Sequence, residues 1–156
     1  MAQVLRGLAL SIMLLLAACV QRQEGKLLTG PLPPLPPGMA RLVLYRPLEY
    51  YTTNAMTMAY LNGTPVGITQ NGGVFYRDVA PGQYDISVDS PGPYPNQFKS
   101  VVVGAGNVVY ARIGTLPKAP CPSRFIGGDC MTDTFIVTIV DPVMGFQEVH
   151  GLRYLG

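Results

Sequence analysis

After residue 40, hydrophobic and polar positions alternate in short runs broken by glycine, proline and asparagine, the pattern of strands between turns. The run 40–46 is aliphatic and β-branched and is stopped by Pro47, which predicts a first strand. The runs 56–61 and 64–69 flank Asn62-Gly63. Both central residues of a type I′ turn need positive φ, so this dipeptide predicts a hairpin. Asn71-Gly72-Gly73 predicts a turn, 74–79 a strand, and Ala80-Pro81-Gly82 a corner. Over 83–89, Tyr84, Ile86 and Val88 fall on one face and Gln83, Asp85, Ser87 and Asp89 on the other, so one face is buried and the other wet. The runs 97–103 and 107–113 are expected to pair as a second hairpin around Gly104-Ala105-Gly106. The run 134–141 is hydrophobic almost throughout, which predicts a central strand covered on both faces. Residues 142–156 read either as a last strand around Phe146 to His150 or as a loosely packed tail. With no convincing amphipathic helix and no internal repeat, the expected fold class is all-β, a small antiparallel β-sandwich of about seven to eight strands.

The amino terminus has a different pattern. An apolar run begins at Gly7, behind Arg6 and the free amino group, and ends in small residues, as a secretory signal does. At about 12 residues it is too short to span a bilayer core of about 30 Å. Its last four residues, Leu16-Ala17-Ala18-Cys19, resemble the lipobox of bacterial lipoproteins. That resemblance implies a diacylglycerol thioether on Cys19, cleavage after Ala18 and acylation of the new amino group, as with palmitate. A single acyl chain binds membranes only marginally, whereas three make a nearly permanent anchor. Residue 20 is valine rather than aspartate, which resembles an outer-membrane lipoprotein facing the periplasm. The chain then turns polar and afterwards proline-dense. Residues 31–37 favour polyproline II, a stiff spacer rising about 3.1 Å per residue that would hold the domain off the membrane. A second reading makes 33–37 a docking ligand for an aromatic groove. The expected division is therefore 1–18 signal peptide, 19–39 lipidated cysteine and proline-rich tether, and 40–156 β-sandwich domain.

Charge and cysteines narrow the chemistry. Without Arg6, ten basic residues stand against nine acidic ones, all scattered, so no field would steer nucleic acid to this chain. Cys121 and Cys130 bracket a segment with Pro122 at one end and Gly127-Gly128 near the other. In an exported protein the expectation is a disulfide, contributing about 2 to 3 kcal/mol on the chain-entropy model. Metal or redox chemistry fits poorly: the spacing is not C-x-x-C, and His150 is the one imidazole. For the same reason no triad is expected. Asp85 and Asp89, with Asp78, would offer oxygens to calcium or paired carboxylates for glycoside chemistry, but solvated strand polarity explains them more simply. No catalytic residue, metal or cofactor is therefore expected. Arg46, Arg77 and Arg112 are expected to pair with acidic groups on neighbouring strands. The expected binding surface is aromatic: Tyr50, Tyr51, Tyr94 and Tyr154 lie in loops or the tail, where a ring and hydroxyl can stack on a sugar or pack against a protein.

Taken in order, the motifs resemble one family. A lipobox is followed by a strand ending in Tyr45-Arg46-Pro47, then Leu61-Asn62-Gly63 with Val66-Gly67, Phe75, Ala80-Pro81-Gly82-Gln83-Tyr84, and Val103-Gly104-Ala105-Gly106 leading to Val109-Tyr110-Ala111. This set, covering 41–113, is similar to proteobacterial lipoproteins with a prealbumin-like or carboxypeptidase-regulatory-like β-sandwich, a domain of unknown function. The resemblance carries over no catalytic residues. The expected function is a non-enzymatic, lipid-anchored envelope protein, at the outer membrane facing the periplasm, whose domain binds another envelope protein. A second reading is a carbohydrate-binding module for cell-wall or surface glycan.

Overall fold

Strand β1 (Ala40–Arg46) carries apolar groups on both of its faces and is buried along its whole length. The computed structural model describes residues 25–50, 55–90, 97–116 and 134–156, and β1 lies at the centre of that structure. Cys19 and Ala18, Cys121 and Cys130 of the expected disulfide, and Tyr51 and Tyr94 lie outside the described residues. The other strands are β2 (Thr57–Leu61), β3 (Thr64–Thr69), β4 (Gly73–Val79), β5 (Gly82–Val88), β6 (Phe98–Val103), β7 (Val108–Leu116), β8 (Thr134–Val140) and β9 (Arg153–Tyr154). They form a five-stranded sheet in the order β8-β7-β1-β4-β9 and a four-stranded sheet in the order β3-β2-β5-β6.

Between the sheets, Leu42, Leu44, Phe75, Ala111, Ile113, Phe135 and Val137 from the larger one meet Ala59, Leu61, Ile86, Val88 and Val103 from the smaller. The expected alternation in 83–89 appears here, with Ile86 and Val88 buried and Gln83 and Asp85 exposed. The Asn62-Gly63 hairpin also forms as expected, with φ of 50° and 75°. Asn62 further ties this turn to β5: its side-chain Oδ1 accepts from the Asp85 N–H at 2.8 Å, and its own N–H donates to the Asp85 carbonyl at 2.9 Å. Asn62→Ala should therefore cost about 1 to 2 kcal/mol in chemical denaturation, since alanine strains at this φ and offers no acceptor.

Several expectations are corrected. The sandwich is not wholly antiparallel: β1 pairs with β7 in parallel, from Arg41↔Val108 to Tyr45↔Arg112, and β9 joins β4 in parallel. Strands β6 and β7 do not form a hairpin, because they belong to different sheets. The reason lies in the turn between them. The Gly106 N–H donates to the Met39 carbonyl at 2.8 Å and the Arg41 N–H to the Asn107 carbonyl at 2.9 Å, so the turn is tied to the start of β1 and delivers β7 beside it. Strand β8 is an edge strand, not a central one. Its inward Phe135 and Val137 are buried, but Thr138 and Ile139 are exposed towards its end.

Residues 142–149 are neither strand nor tail but a helix, α1 (Pro142–Val149). Asp141 caps it, accepting from the Val143 and Met144 N–H groups at 2.9 and 3.4 Å, and proline takes a first-turn position where no amide donor is needed. The helix covers the outer face of the larger sheet, where Val43, Tyr45, Val74, Tyr110, Val149 and Leu152 form a second core.

Residues 25–33 lie beside the helix as a strap over the same face, so this part of the expected free spacer is docked. The Leu28 N–H donates to the Leu152 carbonyl at 2.7 Å, the Gly151 N–H to the Leu28 carbonyl at 2.8 Å, and the Tyr154 N–H to the Lys26 carbonyl at 2.8 Å. Leu28 and Leu32 pack into the second core, so residues 25–33 of the expected 19–39 tether belong to the folded unit.

Candidate functional site

The two sheets differ in what covers them. Among the described residues, α1 and the strap cover the larger outside, while no element covers the outer face of the smaller. On that open face, side chains of opposite parity to the core stand in rows set by strand register. Tyr60 on β2 is opposite Ser87 on β5, and Ser87 is opposite Phe98 on β6. Neighbouring strands lie about 4.8 Å apart, so the two rings stand roughly 10 Å from each other across one serine. Beside this row, Met58 is opposite Ile68, Asp85 opposite Ser100, and Gln83 opposite Val102. Phe98 is 58% exposed and Val102 79% exposed.

Polar groups on the face are held in place. The Tyr60 hydroxyl donates to Asp89 Oδ2 at 3.0 Å, which raises the Tyr60 pKa because the bond requires the protonated phenol. The Ser100 hydroxyl donates to Asp85 Oδ1. Rings, aliphatic groups and oriented carboxylates on either side of the Tyr60–Ser87–Phe98 row can pack against a partner surface while making hydrogen bonds beside the rings.

The three carboxylates considered together from sequence do not meet. Asp85 and Asp89 lie on the smaller sheet, whereas Asp78 lies on the outer face of the larger one, 2.6 and 2.8 Å from the Arg41 guanidinium. Among the described residues no group of three or more His, Cys, Asp or Glu side chains is placed to hold a metal ion. The two hydrogen bonds from Arg41, and after them its charge, hold the Asp78 carboxyl below the usual carboxylate range. Arg41 also donates to the Pro33 carbonyl at 2.5 Å and lies 4.2 Å from the centre of the Tyr76 ring.

The arginines singled out from sequence divide. Arg112 pairs with acidic side chains, 3.5 Å from Glu148 and 3.8 Å from Glu49. Arg77 instead donates to the Tyr76 and Val66 carbonyls. Arg46 is fully buried, bonded to the Ala55 carbonyl at 2.6 Å and to Thr115 Oγ1 at 3.3 Å, and sits 4.8 Å from the Phe135 ring.

Of the expected binding tyrosines, Tyr50 and Tyr154 can be located. Tyr50 is 84% exposed in the loop after β1. Tyr154 is in β9 rather than a tail; it is half-buried, and its ring stacks on Tyr76 at 5.7 Å. Burial and a hydrogen bond with Tyr76 raise its pKa. These two rings, with strap residues 26–33, line a groove of about 370 Å³. The structure therefore does not gather the described tyrosines into one surface. Sequence reasoning missed Tyr60 and Phe98, although period two already placed Tyr60 opposite in parity to Ala59 and Leu61.

Residues 36–125 match DUF2846, a protein family of unknown function. The match covers more than half of the chain. The chain belongs to the DUF2846 family. No curated protein and no solved structure matches it. The DUF2846 segment carries β1 to β7 and with them the whole open face; the strap, β8, α1 and β9 fall outside it.

Proposed function

We propose that this DUF2846 protein is a non-enzymatic, lipid-anchored component of the bacterial cell envelope, held at the periplasmic side of the outer membrane through Cys19, whose domain binds another envelope protein. The lipobox-like Leu16-Ala17-Ala18-Cys19 supports the anchor, and Val20 supports the outer-membrane address. The likeness of the 41–113 motifs to lipoproteins with a prealbumin-like sandwich supports both. One observation carries the binding reading: Tyr60, Phe98, Val102, Met58 and Ile68 share an uncovered sheet face. Among the described residues strand β6 is also a sheet edge, where a partner strand can add to the sheet.

Crosslinking in intact cells followed by mass spectrometry tests this reading. Native protein should capture a defined envelope protein, and Tyr60→Ala with Phe98→Ala should lose it with thermal stability little changed, because Phe98 is exposed and Tyr60 lies outside the core. Capture that survives the double variant but is lost in Tyr50→Ala would move the contact to the loop after β1. Cys19→Ala should abolish membrane retention.

A second reading has its own support. Two rings roughly 10 Å apart, flanked by Asp85 and Asp89, suit two successive sugar units stacked on the rings with carboxylates accepting from hydroxyls. Under that reading the native protein is retained on peptidoglycan or surface polysaccharide, and the same double variant is not.

A further inference from the structure

The strap fixes where the chain leaves the domain. Gly25 and Lys26 lie against the backbone of Tyr154 at the β9 edge, and Leu27 is bridged to Arg153. From Cys19 to Gly25 there are six residue steps, which span roughly 20 Å when fully extended. A lipid anchor at Cys19 therefore holds the domain against the bilayer instead of at a distance from it.

The surface beside this exit is apolar. Leu27 is 54% exposed, and Val143, Met144 and Phe146 on α1 are all more than half exposed. Phe146 borders a small recess with Leu28, Gly30 and Leu32, so the helix face and the strap are continuous. The carboxylates of this stretch are already engaged: Asp141 caps the helix, and Glu148 accepts from the Tyr45 hydroxyl at 2.6 Å and faces Arg112. Lys26 is exposed at the strap's end, where it complements anionic headgroups. A short helix with valine, methionine and phenylalanine outward, next to a leucine and a lysine, has the composition of a surface resting at the headgroup boundary.

We propose that the face formed by α1 and residues 25–33 rests on the lipid surface that carries the Cys19 anchor, with Phe146, Met144, Val143 and Leu27 in contact with lipid. This orientation rests on the anchor reading above, and it turns the open face of the smaller sheet, on the other side of the sandwich, away from the membrane towards a partner.

The chain contains no tryptophan, so single reporters are clean. Mature protein isolated from membranes would be reconstituted, as Phe146→Trp and separately as Val102→Trp, into vesicles of phosphatidylethanolamine and phosphatidylglycerol, with and without brominated acyl chains. The mass of the N-terminal peptide would be measured in the same samples. Emission from the residue-146 reporter should fall by about half or more in brominated vesicles, as expected for an indole at the acyl boundary, while the residue-102 reporter stays bright. An acylated protein whose residue-146 reporter is unquenched, or whose two reporters are quenched equally, overturns the orientation. Protection of the residue-146 reporter from aqueous iodide only after envelope extract is added also overturns it, and assigns the face to a protein. An N-terminal peptide without acyl chains removes the anchor, and the orientation fails with it.

Discussion

Asp78→Ala should lower stability by about 2 to 3 kcal/mol at neutral pH, read as a shift in urea midpoint without a change in slope. The size follows from what is left behind. The Arg41 side chain is 3% exposed and Asp78 is 21% exposed, so removal of the carboxylate strands a buried guanidinium. A fully buried pair would lose more; here some water reaches Asp78 and moderates the cost. Arg41→Met is expected to cost less, about 1 kcal/mol, because the charge left unpaired is then on Asp78, which water reaches, and an apolar chain stays against Tyr76. A pH series gives a second signature. The carboxyl of Asp78 is held below its unfolded value, so the stability it contributes is complete above the ordinary carboxylate range and is lost as pH falls through its folded-state pKa. Native protein should thus lose stability on acidification below about pH 5 more steeply than Asp78→Ala. Equal slopes would show that the pair contributes nothing to folding. Arg41 also holds the Pro33 carbonyl, so Asp78→Ala should loosen the strap and reduce quenching of the residue-146 reporter.

What the sequence displays is local, and what it hides is partnership. The bounds expected for β1 and β3 are those observed, and the Asn62-Gly63 turn and the alternation of β5 were legible because each is dictated within a few residues. The turns at 71–73, 80–82 and 104–106 were equally visible, but a turn reverses the chain without stating which sheet receives the next strand. At 104–107 the answer depends on Met39 and Arg41, more than sixty residues away. The helix left a small signal, Asp141 followed by Pro142, which is a capping residue before a proline at the first turn. Gly145 and Phe146 obscured it, since neither favours a helix. The candidate face was hidden for another reason: Tyr60 and Phe98 read as ordinary strand residues, and only cross-strand register sets them in one row. Arg46 was expected to pair with an acidic group on a neighbouring strand; its parity, that of Leu42 and Leu44, takes it between the sheets, where it is fully buried.

Gly145→Val is expected to be as damaging as loss of Asp78, at about 3 kcal/mol, and to act by lifting α1 from the sheet. A Cβ at residue 145 would fall 2.3 Å from Cγ and 2.5 Å from Cβ of Tyr110, which is itself buried on β7. Both atoms sit close to the strand backbone, so the tyrosine cannot swing clear and the helix must move. The helix would be followed through the phenols beneath it. Burial raises the pKa values of Tyr45 and Tyr110, and the bond from Tyr45 to Glu148 raises that of Tyr45 further, so in native protein these two resist ionisation at pH values where exposed tyrosines, near pKa 10, titrate. In Gly145→Val their titration should move down towards the exposed group while the sandwich stays folded, since the core between the sheets is separate from the one under α1. Gln147→Ala, at an exposed position on the same helix, should change neither stability nor the titration. If the valine variant kept native phenol titration, the close seat of the helix on Tyr110 would be wrong. If it lost both cores together, the helix would prove integral to the whole domain, not a cover added to a sandwich that stands without it.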